Sequence, residues 1–253
     1  MTNIILSGSN GRMGQAISRL VSESSNSKIV CGFDINTVQL NDYPVYSNYS
    51  DFSGSADVII DFSNPANLEN IITYATEHKL AVVVCTTGLS EEQKALLVKT
   101  SEIIPIFYSA NMSLGVNLII ELASRAAKLL EGSFDIEIIE KHHNQKLDAP
   151  SGTALAIADA ISESLKESPE YVYDRHTVRK KRDPKEIGIH AVRGGTIVGE
   201  HSVIFAGNNE VIELNHSATS REVFAVGAIK AGIFLAGKPA GMYSMKDLVN
   251  EMA

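Results

Sequence analysis

The sequence predicts an α/β protein in which a doubly wound parallel sheet comes first and an α+β domain with a mostly antiparallel sheet follows. Two patterns carry this prediction. Over residues 1–112, short apolar strands alternate with helices, and this order requires crossover connections and a parallel sheet covered on both faces. From residue 186 onward, strand-like segments are separated by glycine-rich turns, which is typical of antiparallel hairpins.

The elements of the first part each have a local signal. The segment 80–85 is apolar, uncharged and as long as a strand. Asn64-Pro65 supplies a helix N-cap followed by a first-turn proline, and residues 90–93 have the spacing of a capping box. The predicted strands are 3–6, 28–33, 58–61, 80–85 and 103–108, and the predicted helices are 14–23, 64–78 and one that begins at residue 90.

The second part follows a different order. Residues 113–131 are predicted to form a helix, because apolar residues recur at helical spacing and Gly132 suits its C-cap. The predicted antiparallel strands are 186–192, 197–206 and 211–217, with turns at 194–195 and 207–209, and further helices are predicted at 220–236 and 244–251. We therefore expect two domains, residues 1–112 and 113–220.

The composition excludes several classes of protein. The chain has 253 residues, with 22 Lys and Arg against 30 Asp and Glu, and the net charge of −8 argues against a generic nucleic-acid or anionic-membrane binder. No apolar run is long enough to span a bilayer, and the first residues lack the features of a secretory signal. Cys31 and Cys85 have no metal-ligand spacing, so we expect free thiols in a cytoplasmic protein. The one basic run, 175–182, is predicted to be a solvated loop.

A glycine-rich segment, Gly8 to Gly14, lies between the first strand and the first helix. Glycines in such a turn let the backbone approach a pyrophosphate, and the helix N-terminus adds N–H donors and a favourable dipole. The spacing is GxxGxxG and not the commoner GxGxxG. However, Asp34 ends the second strand 20 residues after Gly14, where an acid binds the ribose hydroxyls of an adenine dinucleotide. Dinucleotide binding is therefore favoured over the alternative, a tight turn and a surface aspartate.

The residues around Asp34 favour NADH as the cofactor. A 2′-phosphate would face the Asp34 carboxylate, and Ile35-Asn36 offers no cation to receive it. Arg12 is the cation of the glycine loop that could reach such a phosphate, so NADPH stays the alternative cofactor. Residues 86–88 and 109–112 follow two other predicted strands, at the edge where open parallel sheets bind ligands, although each also suits a plain turn.

Residues 137–154 hold a dense group of functional side chains. His142 and His143 are adjacent, Lys146 follows, and a helix start lies at 150–153. Histidine titrates near neutrality, lysine supplies a positive proton source, and free N–H groups at a helix N-terminus suit a carboxylate. The alternative is a pair of packed or solvated histidines, which point to opposite faces of a strand. No third ligand stands at a usual metal spacing, and no metal is expected.

These motifs resemble the dihydrodipicolinate reductase family, the 4-hydroxy-tetrahydrodipicolinate reductases of bacterial lysine and diaminopimelate synthesis. The resemblance covers essentially the whole chain, and residues 137–154 are its most specific part. The other matching segments are 8–14, 61–63, 86–88, 110–111 and 198–201.

The resemblance implies an N-terminal Rossmann domain, 1–112, completed by C-terminal helices in 221–253, and a substrate-binding and tetramerisation domain, 113–220. It implies a homotetramer. It also implies NAD(P)H-dependent reduction of a small cyclic dicarboxylate, 4-hydroxy-tetrahydrodipicolinate, to tetrahydrodipicolinate with loss of water.

Residue roles follow from the same resemblance. His142 would be the proton donor and acceptor, Lys146 would be a proton donor, and the substrate carboxylates would be held by His143, Gly152 and Thr153. The residues that would line the cofactor are Gly8, Ser9, Asn10, Gly11, Arg12, Met13, Asp34, Cys85, Thr86, Thr87, Ser109, Ala110, Asn111 and Met112. At two positions this chain departs from the family: some members have arginine at Ile35, and many have glycine at Cys85. The absence of arginine at Ile35 argues against strong NADPH use.

Two other functions remain as alternatives at this stage. One is another two-domain dehydrogenase of an amino-acid pathway, of the aspartate or homoserine type, which would act on an open-chain compound. The other is a non-catalytic dinucleotide-sensing module, in which the histidine and lysine cluster is structural. The first alternative predicts turnover of an open-chain substrate, and the second predicts NADH binding without turnover.

Overall fold

The computed structural model describes residues 1–252, and the chain divides into two compact units. The first unit comprises Met1–Leu114 together with the segment that begins at Glu222, and the second comprises Gly115–Arg221. The elements are, in chain order, β1 (Thr2–Ser7), α1 (Arg12–Ser22), β2 (Ser27–Phe33), β3 (Val45–Tyr46), β4 (Val58–Asp61), α2 (Leu68–His78), β5 (Ala81–Val84), α3 (Glu91–Thr100), β6 (Pro105–Tyr108), α4 (Leu114–Leu130), β7 (Asp135–His142), α5 (Gly152–Ser164), β8 (Glu170–Val172), β9 (Glu186–Arg193), β10 (Gly199–Ala206), β11 (Val211–Ala218), α6 (Glu222–Leu235), β12 (Gly241–Tyr243) and α7 (Met245–Met252).

The sheet of the first unit has seven strands in the order β12-β6-β5-β4-β1-β2-β3, and every pairing is parallel. The predicted parallel sheet is therefore confirmed. Successive side chains of each strand point to opposite faces of the sheet. Ile4 packs in the cluster that contains Ile17 of α1 and Ala228 of α6, whereas Ile5 packs in the cluster that contains Ile71 of α2. The central strands β4 and β5 are fully buried because helices cover both faces.

Both predicted helix caps form, but one of them caps a different element from the one predicted. The capping box before α3 is confirmed, because Ser90 and Gln93 each bond the other's backbone N–H. The Asn64 side chain accepts from the N–H of Ala66, but it caps a short 3₁₀ turn, and α2 starts only at Leu68. Four strands have no counterpart among the predicted segments, namely β3, β7, β8 and β12. Of these, β3, β8 and β12 have two or three residues, too few to show a periodic pattern.

The sheet of the second unit is mixed, in the order β11-β10-β7-β9-β8. The β7–β10 and β10–β11 pairs are antiparallel, and the turn at 207–209 joins β10 to β11 as a hairpin, as predicted. The prediction of an antiparallel strand at 186–192 is wrong, since β9 runs parallel to both β7 and β8. The reason lies in the connections: α5 joins β7 to the parallel strand β8, and residues 173–185 join β8 to the parallel strand β9. Because β7 lies between β9 and β10, Gly194-Gly195 does not join neighbouring strands and is not a hairpin turn.

The basic run at 175–182 is a loop, as predicted, and its residues 175–181 are exposed, but several of its cations pair with carboxylates of the second sheet. Arg175 and Arg182 both donate to Glu137 of β7, and Lys180 pairs with Glu186 of β9. Hydrogen bonds from Arg175 and Lys180 lower the pKa of Glu186 to about 2. These cations are therefore bound by carboxylates of their own unit.

None of the described helices is long and apolar enough to cross a membrane. Cys31 and Cys85 are free cysteines, as predicted. Burial raises the pKa of the Cys31 thiol to about 12 and that of Cys85 well above its usual value, so neither thiol is ionised at neutral pH.

Candidate functional site

The glycine loop joins β1 to α1 in a turn that tolerates no side chain at two positions. Gly8 has a φ of +77°, and a Cβ there would lie 2.6 Å from the carbonyl oxygen of Phe62. A Cβ on Gly14 would lie 2.3 Å from the carbonyl oxygen of Gly8. Helix α1 begins directly after the N-cap Gly11, and its first turn carries no acidic residue. The turn therefore presents a helix N-terminus with the dipole suited to an anion.

Asp34 is tied to this loop. The backbone N–H of Asn10 donates to Asp34 Oδ2 at 2.9 Å, and the Asn10 side chain donates to the carbonyl oxygens of Asn36 at 2.6 Å and Val38 at 2.8 Å. Asp34 Oδ1 accepts from the N–H of Asn36 at 3.0 Å. The carboxylate is half-buried, while the next side chain, Ile35, is fully exposed. The loop and the end of β2 thus form one rigid edge.

A cleft of about 460 Å³ lies beside this edge. Such a volume suits part of a dinucleotide, and the cleft combines aromatic walls with a few polar groups, as small-molecule sites do. The lining residues are Gly8, Gly11, Phe33, Asp34, Ile35, Ser47, Tyr49, Phe62, Ser63, Asn64, Ala66 and Asn67. The glycine loop and Asp34, both chosen from the sequence, therefore border the same cavity.

A buried carboxylate, Asp61, organises the neighbouring strand ends. Its Oδ1 accepts from the N–H of Ser63 at 3.0 Å and from Ser63 Oγ at 2.5 Å, and its Oδ2 accepts from Thr86 Oγ1 at 2.6 Å. Burial raises the pKa of Asp61, and the hydrogen bonds from Ser63 and Thr86 oppose that rise. Asp61 thus joins the end of β4 to the segment after β5 and fixes the Thr86 side chain.

The remaining predicted cofactor residues follow β5 and β6. The N–H of Cys85 donates to the carbonyl oxygen of Asp61 at 2.9 Å, and Ser109 Oγ donates to the carbonyl oxygen of Asn111 at 3.2 Å. The side chains of Met112, in the core of the unit, and of Ser9, in the glycine loop, are both buried. These two residues can therefore contact a ligand only through their backbone atoms. The fold thus collects these segments at the carboxyl ends of the parallel strands.

In the second unit, the start of α5 has the predicted form. Ser151 is the N-cap, and its Oγ accepts from the N–H of Ala154 at 3.2 Å. Gly152 and Thr153 are the first two residues of the helix. Their amides belong to the first turn of the helix, where the dipole favours a negative group, and the N–H of Gly152 bonds the Asp148 carboxylate.

Glu140, two residues before His142 on β7, is the centre of the cluster. Its side chain is fully buried. It accepts from Arg193 Nη1 and Nη2 at 2.7 and 2.6 Å, from the N–H of Ser151 at 3.0 Å, and pairs with His142 Nδ1 at 2.6 Å. Burial alone would raise the pKa of Glu140, but the hydrogen bonds from Arg193, His142 and Ser151 outweigh it and leave that pKa below its usual value.

The His142 ring is enclosed between β9 and β10. With Nδ1 on Glu140, Nε2 is the free ring nitrogen, and a Cβ on Gly199 would lie 3.0 Å from it. The His201 ring meets the His142 ring edge-on, with 5.2 Å between centroids, and its Nε2 lies 3.1 Å from Ser151 Oγ. Burial and the nearby His142 lower the pKa of His201 to about 4, so His201 is neutral at physiological pH.

His143 and Lys146 occupy the turn after β7. Both side chains are partly exposed, and the backbone N–H of Lys146 donates to the carbonyl oxygen of His143 at 3.2 Å. Lys146 Nζ lies 2.8 Å from Asp148 Oδ1, and this partner lowers the pKa of Asp148. The turn therefore places one imidazole and one ammonium group next to the start of α5.

The sequence analysis missed Glu140, Arg193 and His201 as parts of this cluster. Glu140 had a usable signal, because it occupies the inward register of β7 with Ile136 and Ile138, and a buried charge requires partners. Arg193 lies 53 residues from Glu140 in the sequence, and no sequence pattern indicated that the two side chains pair.

The fold and these two groups of residues define a two-domain pyridine-nucleotide oxidoreductase. Two family models match nearly the whole chain: Dihydrodipicolinate reductase, N-terminus, over residues 2–112, and Dihydrodipicolinate reductase, C-terminus, over residues 115–249. The chain belongs to the dihydrodipicolinate reductase family, and the resemblance inferred from the motifs is confirmed.

Relatives of known name agree with this assignment. The 4-hydroxy-tetrahydrodipicolinate reductase of Caldanaerobacter subterraneus subsp. tengcongensis is 56% identical over 251 residues, with 99% of each chain covered. The enzyme of the same name from Clostridium tetani is 51% identical over 250 residues, covering 99% of this chain and 98% of its own. The solved structure of dipicolinate-bound dihydrodipicolinate reductase from Paenisporosarcina sp. TG-14 superimposes with a TM-score of 0.81 at 25% identity, with 99% of both chains covered.

Proposed function

We propose that this protein reduces 4-hydroxy-tetrahydrodipicolinate to tetrahydrodipicolinate with a reduced nicotinamide dinucleotide, in the cytoplasm, as a step of lysine and diaminopimelate synthesis. Family membership supports the reaction. One observation in the structure supports the proposal most directly. The Glu140 carboxylate bonds both the His142 ring and the backbone N–H of Ser151, the N-cap of α5. A proton-transferring ring and a carboxylate-binding helix start are thus held by one buried group.

The first unit fits the cofactor. The glycine loop leaves room for a pyrophosphate at the start of α1, Asp34 faces the cleft as a ribose acceptor, and no lysine or arginine follows Asp34 in Ile35-Asn36. We propose NADH as the preferred cofactor, held by the fourteen residues named from the family resemblance. When bound, the nicotinamide supplies the hydride.

The second unit supplies charge and protons to the substrate. Gly152 and Thr153 form the start of α5, whose dipole suits one substrate carboxylate, and His143 is the proposed second ligand of the substrate carboxylates. Lys146 offsets negative charge that develops on the ring during reduction, and His142 exchanges a proton through Nε2. One hydride and one proton are added to the substrate, and its 4-hydroxyl group leaves as water.

The second unit is also the proposed tetramerisation domain. Its apolar core lies on one face of the sheet, where Ile136 and Ile138 pack with helix α5. On the opposite register of β7 and β10, Ile139 and Ile204 stay partly exposed. Apolar side chains on this second face suit burial against copies of the chain in a homotetramer. Light scattering coupled to size exclusion measures the assembly, and a monomer would contradict the proposal.

The reaction is tested by following reduced nicotinamide absorbance with NADH and NADPH in parallel. The unstable substrate is generated in place from pyruvate and aspartate semialdehyde by its synthase. Oxidation that requires the synthase is the expected result, and the faster cofactor reports the influence of Asp34. If the folded protein binds NADH but turns over only an open-chain compound, or nothing, then one of the two alternatives, an open-chain dehydrogenase or a sensing module, is correct.

A further inference from the structure

The fully buried carboxylate of Glu140 accepts four hydrogen bonds. It binds three separate parts of the second unit: the guanidinium of Arg193 at the end of β9, the backbone of Ser151 before α5, and the ring of His142. All four distances lie between 2.6 and 3.0 Å, the range of charge-assisted bonds. Each of these groups is therefore held in place by the same two oxygen atoms.

We propose that Glu140 is a positioning residue: it keeps a proton on Nδ1 of His142, so that Nε2 is the atom that exchanges protons with the substrate, and Arg193 orients Glu140 for this task. The inference rests on the proposed function, because it assumes that His142 performs the proton step. It assigns to Glu140 and Arg193 roles beyond the residues named above.

The choice of ring nitrogen follows from the chemistry of the partner. An ionised carboxylate only accepts hydrogen bonds, so the short contact with Glu140 requires that Nδ1 of His142 carry the proton. In the neutral ring, Nε2 is then the basic nitrogen. Without Glu140, the two tautomers of the ring would be closer in energy, and part of the enzyme would hold the proton on the wrong atom.

Arg193 fixes the carboxylate itself. Its two terminal nitrogens each bond one oxygen of Glu140, and Nη2 also donates to the carbonyl oxygen of Asp148 at 2.7 Å. This two-point contact fixes the plane of the carboxylate, as a single ammonium group would not. The N–H of Ser151 bonds the same carboxylate. By orienting Glu140, Arg193 therefore also fixes the position of His142 relative to the start of α5.

Glu140 and Arg193 have opposite charges, so they act on the His142 ring with opposite signs. The other charged or titratable groups near the ring are His201 on β10, which is neutral at physiological pH, and the ion pair of Lys146 with Asp148 in the turn. Loss of the negative charge at 140 disfavours the protonated ring, and loss of the positive charge at 193 favours it. A purely structural role for the pair would not produce opposite changes.

The test uses the full-length protein with ¹⁵N-labelled histidine. The ¹⁵N shifts report the tautomer and the titration midpoint of each ring, and the His142→Gln variant assigns the His142 signals among the seven histidines. We expect the wild-type ring to be Nδ1-protonated. In Glu140→Gln the Nδ1-protonated fraction should fall and the midpoint should drop, whereas in Arg193→Gln the midpoint should rise.

Glu137→Gln is the matched control. Glu137 lies on the same strand and also binds arginine and a histidine, namely Arg175, Arg182 and His190. This variant should change the His190 signals and leave those of His142 in place. Should Glu140→Gln fail to fold, Arg193→Gln carries the test, because a glutamine keeps a donor near Glu140 and the Arg193 side chain is not fully buried.

Kinetics provide the second readout. Glu140→Gln should lower kcat about tenfold or more and shift its pH profile, because a wrong tautomer removes part of the 10² to 10⁴ that a placed acid–base group supplies. The KM for NADH should stay within about twofold. An unchanged His142 tautomer and midpoint in both variants would overturn the inference even in an active enzyme. If the wild type has no reductase activity, the proposed function fails, while the NMR data still decide how Glu140 acts on the ring.

Discussion

The backbone N–H of Asn10 donates to Asp34 Oδ2 at 2.9 Å, so the glycine loop and the end of β2 are joined across 24 residues of sequence. The same carboxylate takes a second N–H, from Asn36, on its other oxygen. Asp34 is therefore held with its charge at the rim of the cleft. A phosphate on the adjacent ribose would meet this charge, which links the geometry of the loop to the choice of cofactor.

Ile35→Arg should shift the cofactor preference toward NADPH. The Ile35 side chain is fully exposed and borders the cleft, so an arginine there can reach a 2′-phosphate without displacing packed atoms. A charge-assisted bond of about 1.5–3 kcal/mol predicts a rise of about tenfold or more in the ratio of kcat/KM for NADPH to that for NADH. Val38→Arg, which adds the same charge elsewhere on the loop, should give a smaller change, and equal effects would show that only net charge matters.

Gly14→Ala should weaken dinucleotide binding. The new Cβ would lie 2.3 and 2.4 Å from the carbonyl oxygens of Gly8 and Ser9, so the loop must move out of its present turn. We expect an NADH affinity at least about tenfold weaker by fluorescence titration, together with a lower melting temperature. Arg19→Ala in the same helix is the control, because it removes only exposed ion pairs, which contribute little to stability. Normal NADH binding by Gly14→Ala would show that the cofactor does not use this loop.

His142→Gln and Lys146→Ala should each lower kcat by about 10² to 10⁴, the usual contribution of a general acid–base group. The KM for NADH should change little, since the proposed cofactor residues lie in the first unit. Steady-state kinetics with the synthase-coupled assay measure both parameters. Near-wild-type kcat in both variants would mean that these residues do not act on the substrate.

The stability of the fold should fall between about pH 6.5 and 4 in part because of His201. Its pKa is lowered to about 4, from 6.5 as the ordinary value, because the ring is buried and lies near His142. In this window the unfolded chain binds more protons than the folded chain, so the stabilisation present above pH 6.5 is lost as the pH falls. At about 1.4 kcal/mol per pH unit, the loss is on the order of 3 kcal/mol.

Urea unfolding followed by far-UV circular dichroism at a series of pH values measures this loss. His201→Gln should flatten the dependence of the unfolding free energy on pH in that window. His176→Gln, at an exposed loop position, should leave it as in the wild type. Equal slopes in the wild type and His201→Gln would show that another group causes the acid sensitivity.

Local patterns were sufficient for the parallel sheet of the first unit and for the capping box before α3. The parallel sheet follows from alternating apolar strands and helices, and Ser90 with Gln93 forms the predicted box because that signal depends on neighbours in sequence. The direction of β9 was mispredicted for the opposite reason. The residue pattern of a strand is the same in parallel and antiparallel pairing, and one of the two partners of β9, the strand β7, lies about fifty residues earlier.

The sequence by itself determined most of the segments that become strands and helices, the glycine turn with Asp34 after it, and the presence of His142, Lys146 and a helix start within a short stretch. Only the tertiary structure decided that Arg193 binds Glu140, that Glu140 bonds His142, and that β7 lies between β9 and β10. The physical reason is range. Propensities, caps and periodicity act over a few residues, whereas a buried carboxylate finds its donors wherever the fold brings them, at separations that no local pattern records.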